Sequence, residues 1–151
     1  MKYFRNVLSV MLLTILAGCS ATPSTPVPTT PDGLERTGSW VVRQDEVIRI
    51  AAGAEGKGTL LFLGWEHPFS FTGAKVTFTG TENAEIVGTV YNLKTVEDFA
   101  GTYTPTADFD DGKLEGIWAK NENGVVIYAS TEHKEILVNM KATGATVKLI
   151  D

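Results

Sequence analysis

Residues 114–130 read LEGIWAKNENGVVIYAS, with two strand-like runs on either side of Asn123-Gly124. Asn-Gly between two such runs is a strong β-hairpin signal, because both residues accept the positive φ of a tight turn. A two-residue loop would join strands at 114–122 and 125–130 and would place Trp118 opposite Ala129. We expect the buried face of this hairpin to carry Ile117, Ala119, Val126 and Tyr128.

Outward from this hairpin, glycines divide the chain into short runs rich in Val, Ile, Thr, Phe and Tyr, a composition typical of strands. The run at 58–63 predicts a strand buried on both faces, and Gly88 predicts a bulge or a close backbone approach. We expect a turn at 64–68, a helical turn at 95–99 and a polar loop at 104–112. Further strands are predicted at 39–43, 47–50, 68–71, 75–79, 85–93, 136–140 and 147–149. The pattern predicts an all-β domain of about eight antiparallel strands, either a sandwich or a small barrel.

The first residues have the layout of a secretory signal. Two cations precede an apolar run at 7–16, and small residues follow it. The run is shorter than the roughly 20 residues that a membrane-spanning helix needs. Residues 16–19, Leu-Ala-Gly-Cys, resemble the lipobox of bacterial lipoprotein precursors. The resemblance implies cleavage between Gly18 and Cys19 and a diacylglycerol on the Cys19 sulfur. It also implies that the freed amine is acylated with a fatty acid such as palmitate. The alternatives are a plain secreted protein and an uncleaved membrane helix.

The predicted organisation is a signal peptide at 1–18, a lipid-anchored tether at 19–37 and a β-domain at 38–151. Within the tether, the Pro- and Thr-rich segment 20–32 favours an extended polyproline-like chain, which at about 3.1 Å per residue reaches roughly 40 Å. A Pro-rich ligand for a partner domain is the alternative. Ser20 stands where an Asp in the lipoprotein family often causes retention at the inner membrane. The resemblance therefore implies a place on the outer membrane, facing the periplasm, if the organism has one.

The chain is acidic. Its formal net charge is −5, and loss of Lys2 and Arg5 with the signal peptide would make it about −7. This balance argues against nucleic acid as a partner and against a broad electrostatic contact with anionic lipid. Cys19 is the single cysteine, so the sequence offers no disulfide within the chain.

Two histidines, His67 and His133, are the first candidates for chemistry. Neither has a second metal ligand at a recognisable spacing, so solvated turn residues are the preferred interpretation over a metal site assembled by folding. Residues 53–59 superficially resemble a phosphate loop, but the Gly-Lys-Ser/Thr order is absent and a strand follows. We interpret the adjacent acids Glu97 and Asp98 as a solvated face.

Asp108, Asp110 and Asp111 precede Gly112 and faintly resemble a calcium loop. The EF-hand pattern needs glycine at the sixth position and glutamate at the twelfth, and both are missing when the count begins at Asp108. An Asp-Gly turn is preferred, with an irregular calcium site as the alternative.

The large amphipathic side chains are expected mostly in the core or at its rim. The alternative is a ligand pocket, since a small β-barrel can hold one apolar molecule. These side chains are Trp40, Trp65, Trp118, Tyr91 and Tyr103.

Two further resemblances rest on short glycine-based motifs. Residues 88–103 resemble a segment of small exported bacterial proteins of unknown function. Residues 58–150 are distantly similar to SYLF-type β-rich lipid-binding domains, in a Gly-x-Gly-x-Leu opening and a late hairpin. The helical, basic N-terminal part of those domains has no counterpart here, and no functional residue can be carried over.

The sequence predicts a membrane-anchored envelope lipoprotein, with a non-enzymatic binding or structural β-domain and no cofactor. Its partners would be the membrane, through the lipid on Cys19, and an envelope protein or lipid. The alternative function is a carrier of lipid or of a small apolar ligand. A hydrolase that uses His67 or His133 is the third hypothesis.

Overall fold

A computed structural model describes residues 33–50, 53–78, 84–109, 116–130, 136–140 and 142–151. Its strands are β1 (Arg36–Arg43), β2 (Val47–Ile50), β3 (Gly53–Phe62), β4 (Trp65–Phe78), β5 (Glu85–Tyr91), β6 (Gly101–Pro105), β7 (Gly116–Lys120), β8 (Val126–Ser130), β9 (Ile136–Met140) and β10 (Ala145–Leu149). Two short 3-10 helices span Gln44–Glu46 and Val96–Phe99. The predicted helical turn at 95–99 is therefore confirmed.

The strands form a closed antiparallel barrel. Eight of them follow one another around it in the order β3-β1-β5-β8-β7-β6-β10-β4, and pairing of β4 with β3 closes the ring. The strand β2 extends the pairing along the first half of β3, and β9 pairs with the second half of β4. The all-β prediction is confirmed, and the architecture is the small barrel rather than the sandwich.

Alternation of side chains along each strand separates the barrel interior from its outer surface. The interior is a continuous apolar core with Leu60, Phe69, Phe99 and Val90 among its most buried members. A second cluster lies on the outer face of β5, β7 and β8. Its buried members are Leu34, Tyr91, Trp118, Val126 and Tyr128.

The central hairpin has a register one residue away from the predicted one. Trp118 lies opposite Tyr128, and Ile117 lies opposite Ala129. The prediction that Val126 and Tyr128 belong to the core face of Ile117 was wrong. Ile127 and Ala129 take that place in the barrel, and Val126 and Tyr128 pack outside it with Trp118.

The turn of this hairpin explains the shift. Asn121 N–H donates to the Val125 carbonyl at 3.0 Å, which leaves a three-residue loop, and only Gly124 in that loop has a positive φ, of 82°. The Asn121 Oδ1 atom accepts hydrogen bonds from the N–H groups of Asn123 and Val125, both at 3.0 Å. A side chain thus fixes a longer loop than Asn123-Gly124 alone predicts.

The β3–β4 hairpin also differs from the prediction. Its turn is Leu63-Gly64, with φ of 51° and 81°, and β4 begins at Trp65, so the turn predicted at 64–68 was wrong. The strands predicted at 68–71 and 75–79 form one strand, β4. The run at 58–63 buries one face and not two, because Leu61 and Leu63 are exposed.

Candidate functional site

The barrel encloses a cavity of about 70 Å³. Its wall is apolar and comes from most strands of the barrel, with Trp40, Phe69, Ile117, Ala129 and Met140 among the lining residues. A cavity of about 150 Å³ is enough for benzene, and pockets for larger ligands begin at roughly 300 Å³. The interior is therefore nearly filled, and its free space fits only a very small apolar group.

Trp40 is the unusual residue of this wall. Its indole Nε1 is buried and has no hydrogen-bond acceptor among the described residues. The indole lies flat against Gly88 on the neighbouring strand, where a Cβ atom would overlap the ring. The prediction at Gly88 was a bulge or a close backbone approach; the pairing there is regular, and the Trp40 side chain is what approaches the Gly88 backbone. A buried donor without a partner costs about 1–3 kcal/mol.

Tyr103 is the titratable side chain on the described part of the cavity wall. It is fully buried, and its hydroxyl donates to the Phe99 carbonyl at 2.8 Å. Burial, and secondarily the negative charge of Glu122, raise the pKa of Tyr103 far above its usual value. The phenol of Tyr103 is therefore neutral and already hydrogen-bonded, so it cannot act as a base in the cavity.

An open groove of about 410 Å³ lies on the other side of the wall. Ile117 and Met140 line both the groove and the cavity, so these two side chains lie between them. Pro105 and Trp118 also line the groove. In the described part of the chain β7 and β9 lie close to each other here without pairing.

The residues singled out as metal or catalytic candidates do not converge. His67 is a half-buried residue of β4 opposite Leu60, and Glu66 beside it is exposed. Residues 53–59 belong to β3 and follow an extended course. His133 lies outside the described residues. Within the described ranges, no group of three or more His, Cys, Asp or Glu side chains is placed to hold a metal ion.

The remaining predicted sites fall partly outside the described ranges. Gly18 and Cys19 belong to these, as do Asp110 and Asp111. Asp108 is an exposed residue whose N–H donates to the Thr106 hydroxyl at 3.2 Å.

Sequence reasoning missed an exposed apolar group at the tip of the β3–β4 hairpin. Leu61, Leu63 and Trp65 expose 45%, 77% and 74% of their surface, respectively. Of the five large aromatic side chains expected mostly in the core or at its rim, Trp65 is the exception. The signal that could have found this tip is Leu63-Gly64 between two strands, because glycine as the second residue suits a two-residue turn.

Comparisons with protein-family models, with curated proteins and with solved structures find no match for this chain. Within the part of the chain that the structure describes, no helix combines the length and the apolar content needed to cross a membrane.

Proposed function

We propose that this chain is a lipid-anchored protein of the bacterial cell envelope, with a β-barrel that has a non-enzymatic binding or structural role. The observation that carries the proposal is the order of the first 32 residues, a short apolar run followed by Leu-Ala-Gly-Cys and a Pro-rich tether. Two or three acyl chains on Cys19 would hold the protein at the membrane, since each buried CH₂ adds about 0.8 kcal/mol. The proposed location is the outer membrane, facing the periplasm.

The nature of the barrel supports a binding or structural role. Its interior is apolar and almost filled, and the phenol of Tyr103 is hydrogen-bonded to the backbone carbonyl of Phe99. Such an interior stabilises the fold and leaves recognition to the outer surface.

The anchor is tested by expressing the full chain in a diderm bacterium fed with labelled palmitate and measuring the intact mass of the mature protein. We expect the label to follow the protein and the mature chain to begin at Cys19. The matched control is Cys19→Ser, which keeps the apolar run and the tether. An unlabelled wild type, or a Cys19→Ser chain that matures and fractionates with membranes like the wild type, would refute the anchor.

A second candidate function is transport of a very small apolar ligand. The wholly apolar wall of the cavity favours it. A whole lipid far exceeds the space of about 70 Å³. Ile117 and Met140 are the expected gate for a smaller ligand, because they line both the groove and the cavity.

Native mass spectrometry of the full chain from its producing cell separates the two functions. A carrier would retain a small apolar molecule, and Ala119→Val would expel it, since Ala119 lies on the cavity wall and added methyl groups would fill the space. A barrel with a structural role would show only the calculated mass of the unliganded chain, for the wild type and the variant alike, with Ala119→Val at least as stable as the wild type.

A further inference from the structure

The β3–β4 hairpin ends in an apolar tip, formed by Leu61, Leu63 and Trp65. Single exposed apolar side chains are common, but this hairpin end exposes three, with Leu61 on one face beside Glu66 and Trp65 on the other face beside Phe62. Leu63 also holds a positive φ of 51°, a conformation that costs a leucine more than it costs Asn or Gly. The positive φ opposes folding stability, and the exposed apolar side chains gain nothing from folding, so the tip has an unusual composition for a solvent-exposed turn.

The tip lies at the end of the barrel where the N-terminal segment arrives. Gly38, near the start of β1, lies opposite Phe62, the last residue of β3. The backbone of 33–36 therefore runs beside the tip. Ile48, another exposed apolar side chain, lies opposite Glu55. Glu55 is eight residues before Leu63, or about 26 Å away along the strand, toward the other end of the barrel.

We propose that this tip is a second membrane contact, which inserts Trp65 and Leu63 into the interface of the bilayer that holds the lipid on Cys19. The inference rests on the proposed function, because the anchor brings the tip to the surface. The 20–32 segment, about 40 Å long when extended, sets only the greatest distance between barrel and bilayer. Within that radius the effective concentration of the surface is high, so a weak contact is sufficient.

The chemistry of the tip selects the occupant. Tryptophan is enriched at the membrane–water interface, where its ring is buried and its N–H stays hydrated. The charges beside the tip are mixed, with Glu35 and Glu66 exposed alongside Arg36. Attraction to an anionic surface is therefore small, and the contact depends on apolar insertion into neutral lipid.

The test uses the full chain reconstituted into phosphatidylcholine vesicles, with and without bromine on the acyl chains. Bromine quenches tryptophan only at close range, and Trp40 and Trp118 lie within the barrel wall and the outer cluster. We expect bromolipid to quench the wild type well beyond the level seen for Trp65→Phe. Equal quenching of the wild type and Trp65→Phe would overturn the proposal, and a tip that binds only a protein would give that result in pure lipid.

Two further variants separate insertion from general stickiness. Leu63→Ser should lower the contact equilibrium about tenfold, as expected for loss of one buried apolar side chain. Ile48→Ser removes a comparable exposed side chain at the far end and should leave Trp65 quenching unchanged. If both variants reduce quenching alike, the tip proposal is wrong. The intact mass reports the lipid on Cys19 independently, so failure of the anchor and failure of the tip contact are distinguished.

Discussion

Replacement of Asn121 by alanine should reveal how strongly one buried amide stabilises the barrel. Asn121 exposes only 5% of its surface and joins its own turn to a second segment of the chain. Its Oδ1 accepts from the N–H groups of Asn123 and Val125, and its Nδ2 donates to the Asp98 carbonyl at 2.8 Å. The amide thus connects the β7–β8 turn to the 3-10 helix at Val96–Phe99.

The size of the stability loss depends on whether each hydrogen-bond partner of Asn121 can find a replacement in Asn121→Ala. The N–H of Asn123 is in an exposed turn, so water can replace the lost acceptor. Val125 is 1% exposed, and its N–H would stay buried without a partner, which costs about 1–3 kcal/mol. Loss of the bond to Asp98 adds about 1 kcal/mol. We expect the free energy of unfolding to fall by about 2–4 kcal/mol.

Urea unfolding followed by far-ultraviolet circular dichroism measures this loss, provided that the slope against urea concentration stays constant. Asn123→Ala is the matched control, because its exposed Nδ2 donates to the same Asp98 carbonyl and also to the Ala100 carbonyl, both at 3.2 Å. The control should lose less than about 1 kcal/mol. Equal losses for the two variants would refute the assignment of the stabilising role to Asn121.

Three other substitutions test separate parts of the barrel. Gly88→Ala should lower the unfolding free energy by about 1–3 kcal/mol in a urea titration, because the new Cβ overlaps the Trp40 indole, and Trp40→Phe should restore part of the loss. Tyr103→Phe should cost about 1 kcal/mol at pH 7, through the hydrogen bond to the Phe99 carbonyl, and should flatten the alkaline loss of stability. The sign follows from the raised pKa of Tyr103: its contribution to stability is complete below the unfolded value of 10.0 and is lost as the pH rises above that value. If the unfolding free energy of the wild type and of Tyr103→Phe changed equally between pH 7 and 11, this prediction would be contradicted. Leu63→Asn should raise the free energy of unfolding by up to about 1 kcal/mol, because Asn tolerates the positive φ better than Leu. A lower melting temperature for this variant would count against strain at the turn.

Local patterns predicted much of the secondary structure. The strands predicted at 47–50 and 136–140 match β2 and β9, and the helical turn near Val96–Phe99 is present. The strand β6, at Gly101–Pro105, was missed, since Tyr103 is its only buried side chain and its neighbours are polar or proline. A strand with one buried residue has too little alternation to be recognised.

Strand order and register depend on interactions that no local pattern contains. The barrel closes because β4 pairs with both β3 and β10, strands far apart in sequence. The central hairpin shifted by one residue because the Asn121 side chain captured two backbone N–H groups. A shift of one residue moves every side chain of a strand to the opposite face. The core assignment of Val126 and Tyr128 was therefore wrong, although the hairpin itself was correctly predicted.

The candidate site was predicted only as a choice between core aromatics and a pocket. Trp40 belongs to the core and to the pocket, because it packs against the core and lines the cavity, and its Nε1 has no acceptor. Its orientation depends on Gly88 of the neighbouring strand, 48 residues later in the chain. The pairing of these two residues, and hence the cavity, becomes visible only in three dimensions.

Among the residues that the structure describes, Trp40 and Leu63 depart from stability rules, and they lie in different parts of the barrel. Trp40 holds an unpartnered donor inside, while Leu63 combines exposure with a positive φ at the tip. Stable folds keep such departures few, and those that persist tend to occur at functional positions. The interior has room for only a very small ligand, so a functional role for Trp40 is limited by the size of the cavity. The tip has no such limit, because a bilayer can cover Leu63 and Trp65 at the end of the barrel where the predicted tether arrives. The tip is therefore the more informative place to measure function first.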